Sequence, residues 1–387
     1  MRIAWFRPDD ATSGRGDHLD DVIVALGAHH TVTCITEDLA HDFVWRHARG
    51  HFDLCVYELD NTARHQYMWP YLLHFPGVLA LRTATLHDAR RARLVHEGRR
   101  ADYATEIGFA GGPTHVLPPW HLARGQWPML RIPVTAAILT VVEDSQLQQH
   151  LQAALPEAHV RLVDVGIAPA AAAAHPTNGA EPHPAVAILE PTREAVVRRA
   201  IARTEADTGP VSVQRALVEA GRAADVAVAL RWPLHGRPLV SAVQAMAAGV
   251  PVIVPELYGT AHWPAVDPQT WRPRDLDASA NGGEAPAAVA IDPRDEEHSL
   301  VLALRRLLTD APLRRAIGDA GRVWWAAHAT IDRAIEAWQE VLSDAARMRV
   351  PARPPSWPAH LDADGTALTV KLLTEAGVDP AAAGFAR

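Results

Sequence analysis

Short apolar runs alternate with amphipathic stretches along the first part of the chain. The pattern predicts a helix over residues 17–26 and β-strands over 2–6, 31–36, 53–59, 77–82 and 136–142. Alternation of this kind is typical of parallel strands covered by helices, because each parallel connection must cross a face of the sheet. The first part of the chain is therefore predicted to form an α/β domain.

A stretch without periodicity follows. Residues 164–184 read "DVGIAPAAAAAHPTNGAEPHP", a composition that indicates a linker or a long loop. Beyond it the alternation starts again. We predict strands over 185–189, 225–231, 251–255 and 287–291, and helices over 193–206, 213–220, 238–249, from 298 onward, 330–342 and 366–376.

The length of the chain, 387 residues, favours two domains over one core. We predict an N-terminal domain over residues 1–168 and a linker over 169–184. A C-terminal domain with short strands is predicted over 185–346. The tail over 347–387 is expected to pack back on the fold.

Composition excludes several classes of protein. A formal net charge of −8 provides no overall positive field for nucleic acid. The two cysteines, Cys34 and Cys55, lie in strand-like runs and are expected to be reduced core residues of a cytoplasmic protein. No apolar run approaches the roughly 20 residues that span a bilayer, and the N-terminus lacks a signal-peptide pattern. Peripheral membrane contact and oligomer formation stay open.

The stretch "GRPLVSAVQAMAAG", residues 236–249, has the features of a helix with defined ends. Pro238 suits the first helical position and Gly249 suits a left-handed C-terminus. The preceding predicted strand ends at Arg231, and a helix N-terminus at the end of a parallel strand favours a phosphate group. Arg231 and Arg237 could add positive charge there. A purely structural helix would show the same pattern, so both interpretations stay open.

Four stretches resemble glycosyltransferases of the GT-B fold, in the large retaining family 4. They are "RPDDATSGRGDHLDDVIVAL" from residue 7, "YELDNTARHQYMWPYLLHFPGVLALR" from residue 57, "VVEDSQLQQHLQAALPEAHVRLVDVGI" from residue 141 and "ADVAVALRWPLHGRPLVSAVQAMAAGVPVIV" from residue 224. These four places carry a resemblance that extends over almost the whole length of the chain. The last of them is similar to the donor-binding segment of the family.

The resemblance implies two Rossmann-like domains that face each other across a cleft, with the C-terminal one shortened. It implies transfer of a sugar, with retention of configuration and without a metal, from a nucleotide-diphosphate sugar to a glycan, lipid, natural product or protein acceptor. The nucleotide sugar is a substrate, and no cofactor is expected. The 21 histidines include no HExxH pattern and no Cys-His set, so no metal site is predicted.

The same resemblance assigns roles to individual residues. Catalytic roles fall to Arg82, His87 and Arg237. The donor-binding residues would be Arg193, Arg231, Gly236, Pro238, Leu239, Val240, Ser241 and Gln244. The acceptor side would include Ser13, Gly14, Asp60, Asn61 and His65.

Several positions depart from the family pattern. Two glutamates expected around the donor helix correspond to Arg237, or Gly236 in another register, and to Gln244. Arg82 replaces the histidine of a His-Asp pair, while His87 matches a second family histidine and otherwise would be a surface residue at a helix start. Arg193 fits a diphosphate ligand and a solvated helix residue equally well.

These departures support a second hypothesis, in which the chain is a catalytically silent relative that scaffolds or regulates a partner transferase. A nucleotide-sugar epimerase of the same fold is a third, but it would need acidic and histidine residues in the cleft that the sequence does not identify. Fold resemblance alone does not decide between activities.

If the α-helix that begins near Pro238 holds the diphosphate, Arg237→Ala should weaken binding of a nucleoside diphosphate more than Gln244→Ala does. The reason is that only the arginine carries a charge that complements phosphate. Isothermal titration calorimetry measures both variants. Equal or absent effects would show that this helix is not the phosphate site.

Overall fold

The computed structural model of the chain describes residues 1–9, 18–112, 127–169, 183–219, 222–232, 238–260, 263–274, 285–363 and 366–382. Two six-stranded sheets dominate the described residues, and all strand pairs within them are parallel. This architecture confirms the predicted α/β fold.

The first sheet has the strand order β2-β1-β3-β4-β5-β6. Its strands are β1 (Arg2–Phe6), β2 (Thr31–Ile35), β3 (Leu54–Leu59), β4 (Val78–Leu81), β5 (Leu139–Val142) and β6 (Val160–Leu162). Its helices are α1 (His18–Leu26), α2 (Ala40–Ala48), α3 (Met68–His74), α4 (His87–His96), α5 (Arg100–Phe109), α6 (Arg131–Ala136) and α7 (Ser145–Ala154). Apolar clusters cover both faces, one around Phe6 and Tyr57 and the other around Trp5 and Val56.

The second sheet has the order β13-β14-β12-β11-β7-β8. Its strands are short, as predicted: β7 (Ala185–Ile188), β8 (Ser212–Gln214), β11 (Val226–Val228), β12 (Val252–Pro255), β13 (Ala265–Val266) and β14 (Ala288–Ile291). Strands β9 (Val218–Glu219) and β10 (Arg222–Ala223) form a separate antiparallel hairpin. The covering helices are α8 (Glu194–Thr208), α9 (Val240–Ala247), α10 (Glu296–Thr309) and α11 (Ala311–His328).

The helix predicted over residues 213–220 is wrong. Residues Ser212–Gln214 instead form the edge strand β8, which pairs in parallel with β7. Val211 and Val213, two residues apart, both pack against the apolar cluster of the second sheet. Spacing of two residues suits a strand, and pairing with β7 outweighs the helix propensity of the residues that follow.

A long helix joins the two halves. Helix α12 (Ile331–Arg347) buries Trp338 against Trp5 of the first sheet, with ring centroids 5.1 Å apart. Just before it, Ile167 forms a bridge with Thr330 and accepts a hydrogen bond from Nε1 of Trp325 at 3.2 Å. The predicted C-terminal domain, residues 185–346, therefore contains a helix that packs on the N-terminal sheet. The apolar face of α12 predicts that the helix is buried, but the sequence does not show which of the two sheets buries it.

The segment after α12 also packs on the first half. Arg353 donates a hydrogen bond to the Leu73 carbonyl oxygen at 2.7 Å, and the Trp357 ring packs edge-on against Phe109. Leu361 is buried in the same apolar cluster as Phe6. The short helix α13 (Ala367–Glu375) follows.

A buried ion pair anchors this segment. Arg90 on α4 donates to both carboxylate oxygens of Glu106 on α5, at 2.9 and 2.5 Å. The His360 ring contacts the same carboxylate, with 3.0 Å between Nε2 and Oε1. Burial raises the pKa of Glu106, but the hydrogen bonds from Arg90 and His360 outweigh it, so the pKa lies below the ordinary value of 4.5. The ionised carboxylate therefore links α4, α5 and the C-terminal segment.

Glu106→Gln should lower the free energy of unfolding by about 3 kcal/mol at pH 7, because it leaves the buried Arg90 charge without its partner. A carboxyl group with a depressed folded pKa contributes stability above its unfolded pKa and loses it as the pH falls through the folded pKa. The difference between wild type and variant should thus shrink below pH 4.5.

Urea unfolding at pH 7, 4 and 3 measures this difference. Glu340→Gln, at an exposed position on α12, is the matched control and should change stability little. A gap between wild type and Glu106→Gln that stays constant with pH would contradict the assignment.

Candidate functional site

The second sheet has a topological switch point between β7 and β11. These strands are neighbours, and the flanking strands are β8 on one side and β12 on the other. At such a point the connections diverge and leave a crevice at the carboxyl ends of the strands, where ligands bind. Glu190 follows β7, and Arg231 follows β11. The sheet thereby brings together two charged residues that are 41 positions apart in the sequence.

A carboxylate and a guanidinium meet at this crevice. The Ser241 hydroxyl, in the first turn of α9, donates a hydrogen bond to Oε1 of Glu190 at 2.5 Å. Arg231 donates through Nη2 to the Pro238 carbonyl oxygen at 2.6 Å, and its Nη1 lies 3.9 Å from Oε2 of Glu190. Burial lowers the pKa of Arg231, and the Glu190 carboxylate opposes that shift. The predicted phosphate ligand Arg231 is thus engaged by protein groups.

Helix α9 ends at the glycine that its sequence predicts, but it begins later than predicted, because Pro238 precedes the N-cap residue and does not occupy the first helical position. Leu239 is its buried N-cap residue, and Gly249, just past its end, has a left-handed φ of 71°. A Cβ at Gly318 of α11 would lie 2.2 Å from the Gly249 carbonyl oxygen, so α11 packs directly on this end of the helix. Gln244 is exposed on α9, while Pro238 and Val240 are half-buried. The predicted residues Gly236 and Arg237 lie outside the described residues.

Arg193 is tied to a different carboxylate. Its Nε donates to Oε1 of Glu296 at 2.9 Å, and its Nη2 pairs with Oε2. The hydrogen bond to Glu296 raises the pKa of Arg193. Because Glu296 begins α10, the pair joins the starts of α8 and α10. Arg193 is therefore neither a free solvated residue nor, in this arrangement, an open phosphate ligand.

The first sheet has its own switch point, between β1 and β3. Arg7, which follows β1, pairs with Asp20 of α1 at 2.5 Å. Glu58 of β3 is almost fully buried and accepts a hydrogen bond from Nε1 of Trp5 at 2.6 Å. Arg82, a predicted catalytic residue, lies 3.7 Å from the same carboxylate. Charged groups thus occupy the carboxyl edges of both sheets.

A histidine and a carboxylate lie beside this cluster. His18 begins α1 and pairs through Nε2 with Glu143, which follows β5. Both side chains are largely buried. Glu143 and Arg82 line a small pocket together with Leu19 and Trp338. The space that Arg82 lines there is about 10 Å³, which is room for about one water molecule.

Asn61, predicted on the acceptor side, closes the start of α4. Its Oδ1 accepts a hydrogen bond from the Ala89 backbone, and its Nδ2 donates to Asp88, both at 2.9 Å. Asp60 is buried and accepts a hydrogen bond from the Asn61 backbone at 2.7 Å. These contacts are those of a helix-capping loop. Roles of these residues toward an acceptor stay a prediction.

His65, also predicted on the acceptor side, is a buried residue. Its Nδ1 lies 2.7 Å from the Thr62 hydroxyl, within the same short turn. Ser13 and Gly14 lie outside the described residues. Among these predicted acceptor residues, those that the structure describes therefore have hydrogen-bond partners within the protein.

The position of His87 contradicts a cleft role. Its side chain is fully buried, and its Nδ1 donates to the Trp127 carbonyl oxygen at 2.7 Å. The Tyr103 hydroxyl lies 2.9 Å from Nε2, which can then accept its proton. Both ring nitrogens of His87 thus have partners within the protein, and the ring braces α4 against α5. The surface alternative is wrong as well.

No protein-family model matches the chain, and no curated protein matches it by sequence. Several solved structures are similar to it in fold. HepE from Anabaena, solved in complex with UDP, superposes with a TM-score of 0.52 at 14% identity over 89% of this chain and 100% of that one. WaaG, a glycosyltransferase involved in lipopolysaccharide biosynthesis, gives a TM-score of 0.50 at 12% identity, over 88% and 99% of the two chains.

The chain has the GT-B fold. The similarity extends over both sheets, since the covered part includes nearly nine-tenths of the residues. In the GT-B frame, the crevice at β7 and β11 belongs to the C-terminal sheet, and the cluster around Arg82 belongs to the N-terminal sheet. Within the described residues, no helix is both long and apolar enough to cross a bilayer, and no group of three or more metal-ligating side chains converges.

The sequence interpretation missed Glu190, His18, Glu58 and Glu143 as members of the two clusters. Glu190 and Glu143 lie just beyond the ends of strands, and Glu58 is the second-last residue of β3. His18 is the first residue of α1. An acid at the end of a parallel strand is a usable signal, because the carboxyl ends of all strands share one edge. Which strand ends are neighbours depends on the strand order of the sheet, and that order cannot be read from the sequence.

His87→Ala should lower the free energy of unfolding by about 2 kcal/mol or more, because it removes a buried ring and leaves two buried hydrogen-bonding groups unpaired. His96→Ala, at an exposed position at the end of the same helix, should change stability by less than about 0.5 kcal/mol. Thermal or urea unfolding measures both. Wild-type stability in His87→Ala, together with loss of activity, would restore the catalytic assignment.

Proposed function

We propose that the chain is a cytoplasmic glycosyltransferase that moves a sugar from a nucleotide-diphosphate sugar to an acceptor. The observation that carries this proposal is the GT-B fold over nearly nine-tenths of the chain, with polar clusters at the switch points of both sheets. HepE, which shares this fold, was solved with UDP. A nucleotide is therefore the ligand class that best fits the C-terminal sheet.

On the donor side, the sugar nucleotide would bind at the start of α9. A helix N-terminus offers backbone N–H groups and a positive dipole end, both of which favour an anionic leaving group. Stabilising the charge of the departing diphosphate lowers the barrier to transfer. Arg237, which precedes α9 in the sequence, is the cation that we propose for this role.

On the acceptor side, the cluster at the first sheet would receive the acceptor hydroxyl. Glu58, Arg82 and Glu143 provide both acceptors and donors of hydrogen bonds near a small pocket. Retention of configuration and independence from metal are proposed from the resemblance to family 4. Nuclear magnetic resonance of the product anomer and assays with a chelator test these two properties directly.

The second candidate is a catalytically silent relative that acts as a scaffold or a regulatory partner. One observation favours it: the two predicted phosphate-binding cations that lie within the described residues are engaged by protein groups. Arg193 pairs with Glu296, and Arg231 binds the Pro238 carbonyl oxygen. A ligand would have to compete with these contacts.

A thermal-shift panel of nucleoside diphosphates and sugar nucleotides separates the two candidates. Saturating ligand at about 100 times its Kd should stabilise a transferase by roughly 2.7 kcal/mol, because the ligand binds only the folded state. Nucleoside monophosphates at the same concentration serve as the control for the diphosphate. A flat panel, together with a stable co-purifying protein, would contradict the transferase and support the scaffold.

A further inference from the structure

The two parallel sheets have four edge strands, and three of these edges are short and protected. β6 has three residues and includes Arg161, whose side chain is 60% exposed. β8 also has three residues and is followed directly by Arg215, whose side chain is 76% exposed. β13 has two residues, and Val266 is bridged to Pro273. Short edge strands and charged side chains prevent a sheet from pairing with another chain.

The fourth edge strand, β2, lacks this protection. It is five residues long, reads "TVTCI" and contains neither a charged residue nor a proline. Its neighbour in the sheet is β1, and no described strand lies on its other side. A strand of this length and composition is therefore open to pairing with a further strand.

The outward-facing backbone groups of β2 belong to alternate residues. The backbone N–H of Thr31 donates to the residue before β1 at 2.9 Å, and the Ile35 carbonyl oxygen accepts a hydrogen bond from the residue after β1 at 3.1 Å. Since alternate residues of a parallel pair face the neighbouring strand, the N–H and C=O groups of Val32 and Cys34 point away from the sheet.

Exposed apolar side chains lie on the elements that precede and follow β2. α1 exposes Val24, and the segment that begins α2 exposes Leu39, Val44 and Trp45. The two helices cover opposite faces of the sheet. A stable interface buries roughly 800 Å² per partner, which is more than the backbone of one short strand provides. These side chains supply further area for a partner at this edge.

The two ends of β2 are complementary to each other. His29 and His30 precede the strand, while Glu37 and Asp38 follow it. In an antiparallel pair the amino end of one strand lies beside the carboxyl end of the other. Two copies of β2 paired in this way place imidazole donors next to carboxylate acceptors at both ends of the contact. A second copy of this chain therefore fits the edge.

We propose that β2 forms the interface of a homodimer, in which the β2 strands of two copies pair antiparallel about a two-fold axis at Thr33. Val32 of each copy then exchanges both backbone hydrogen bonds with Cys34 of the other. The contact closes after two copies, because each copy uses the same edge. The two first sheets become one continuous sheet whose carboxyl edges point in opposite directions. The dimer is independent of the proposed function.

Sedimentation equilibrium of the full chain tests the association. Wild type should sediment with twice the 42.0 kDa mass of one chain. Val32→Pro removes an outward-facing N–H and leaves the pairing with β1 intact, because an edge strand tolerates proline on its open side. It should raise the dimer Kd about tenfold or more, since each copy loses a hydrogen bond to the other.

Val213→Pro is the matched control for this variant. The backbone N–H of Ser212 donates to the residue before β7, so the N–H of Val213 points away from the second sheet, as that of Val32 does from the first. Both valines also pack partly against the core of their sheet. Val213→Pro should leave the dimer Kd unchanged. Circular dichroism checks that each variant is folded.

A disulfide cross-link tests the register and does not depend on whether proline is tolerated. At the two-fold axis, Thr33 lies opposite Thr33 of the other copy in a non-hydrogen-bonded pair, with about 4.5 Å between Cα atoms. This separation is within reach of a disulfide. Thr33→Cys should therefore form a covalent dimer when oxidised glutathione is added, and the glutathione is reduced as the bond forms.

Thr31→Cys is the control for the cross-link. Its residue lies opposite Ile35 in the proposed register, and the two copies of position 31 are about 13 Å apart along the strands. Wild type and Thr31→Cys should both stay uncross-linked on a non-reducing gel.

Two results would overturn the inference. One is a wild type that stays monomeric, alone or in a stable complex with another protein. The other is a dimer that Thr33→Cys does not cross-link, which would place the association on a different surface. If Val32→Pro does not fold, the cross-link decides. Nucleotide binding is not a readout of either experiment, so their failure leaves the proposed function untouched.

Discussion

Parallel strand pairing is the constraint on which this structure depends. Each sheet is covered on both faces by apolar clusters, so the chain must return across a face after every strand and begin the next one at the same edge. Faces that are closed in this way have little room for charge. Glu190, Arg231, Arg7 and Glu143 accordingly all follow strands of the two sheets. The location of the candidate site is thus a consequence of the pairing scheme.

The strands were predictable from the sequence because short apolar runs bounded by turn residues are typical of buried strands in parallel sheets. The C-terminal end of helix α9 was predictable because Gly249 adopts the left-handed conformation that follows a helix, whereas Pro238 lies before the N-cap and not at the first helical position. The error over residues 213–220 has a physical cause: pairing with β7 is a long-range interaction that local helix propensity does not report. Helix α12 shows the same limitation, because its apolar face fits either sheet.

The candidate site was predictable in outline and not in its contacts. Sequence resemblance indicated the donor segment, but the partners of its residues come from distant parts of the chain. Glu190 reaches Ser241, and His87 finds Trp127 and Tyr103, through tertiary packing alone. The arginines follow the same rule. The sequence allowed Arg193 to be either a phosphate ligand or a solvated residue, and it could not show that Glu296, 103 residues away, pairs with it.

The return of α12 and the segment after it to the first sheet affects how the molecule can assemble. Trp338 covers Trp5, and Leu361 enters the cluster of Phe6, so residues near the two ends of the described chain share cores. The second half is therefore inserted within the sequence of the first. During synthesis, α1 can cover its part of that face early, but the part that Trp338 covers stays open until the entire second half has emerged. The second sheet and helices α8 to α11 are contiguous in the chain, so their pairing does not depend on α12.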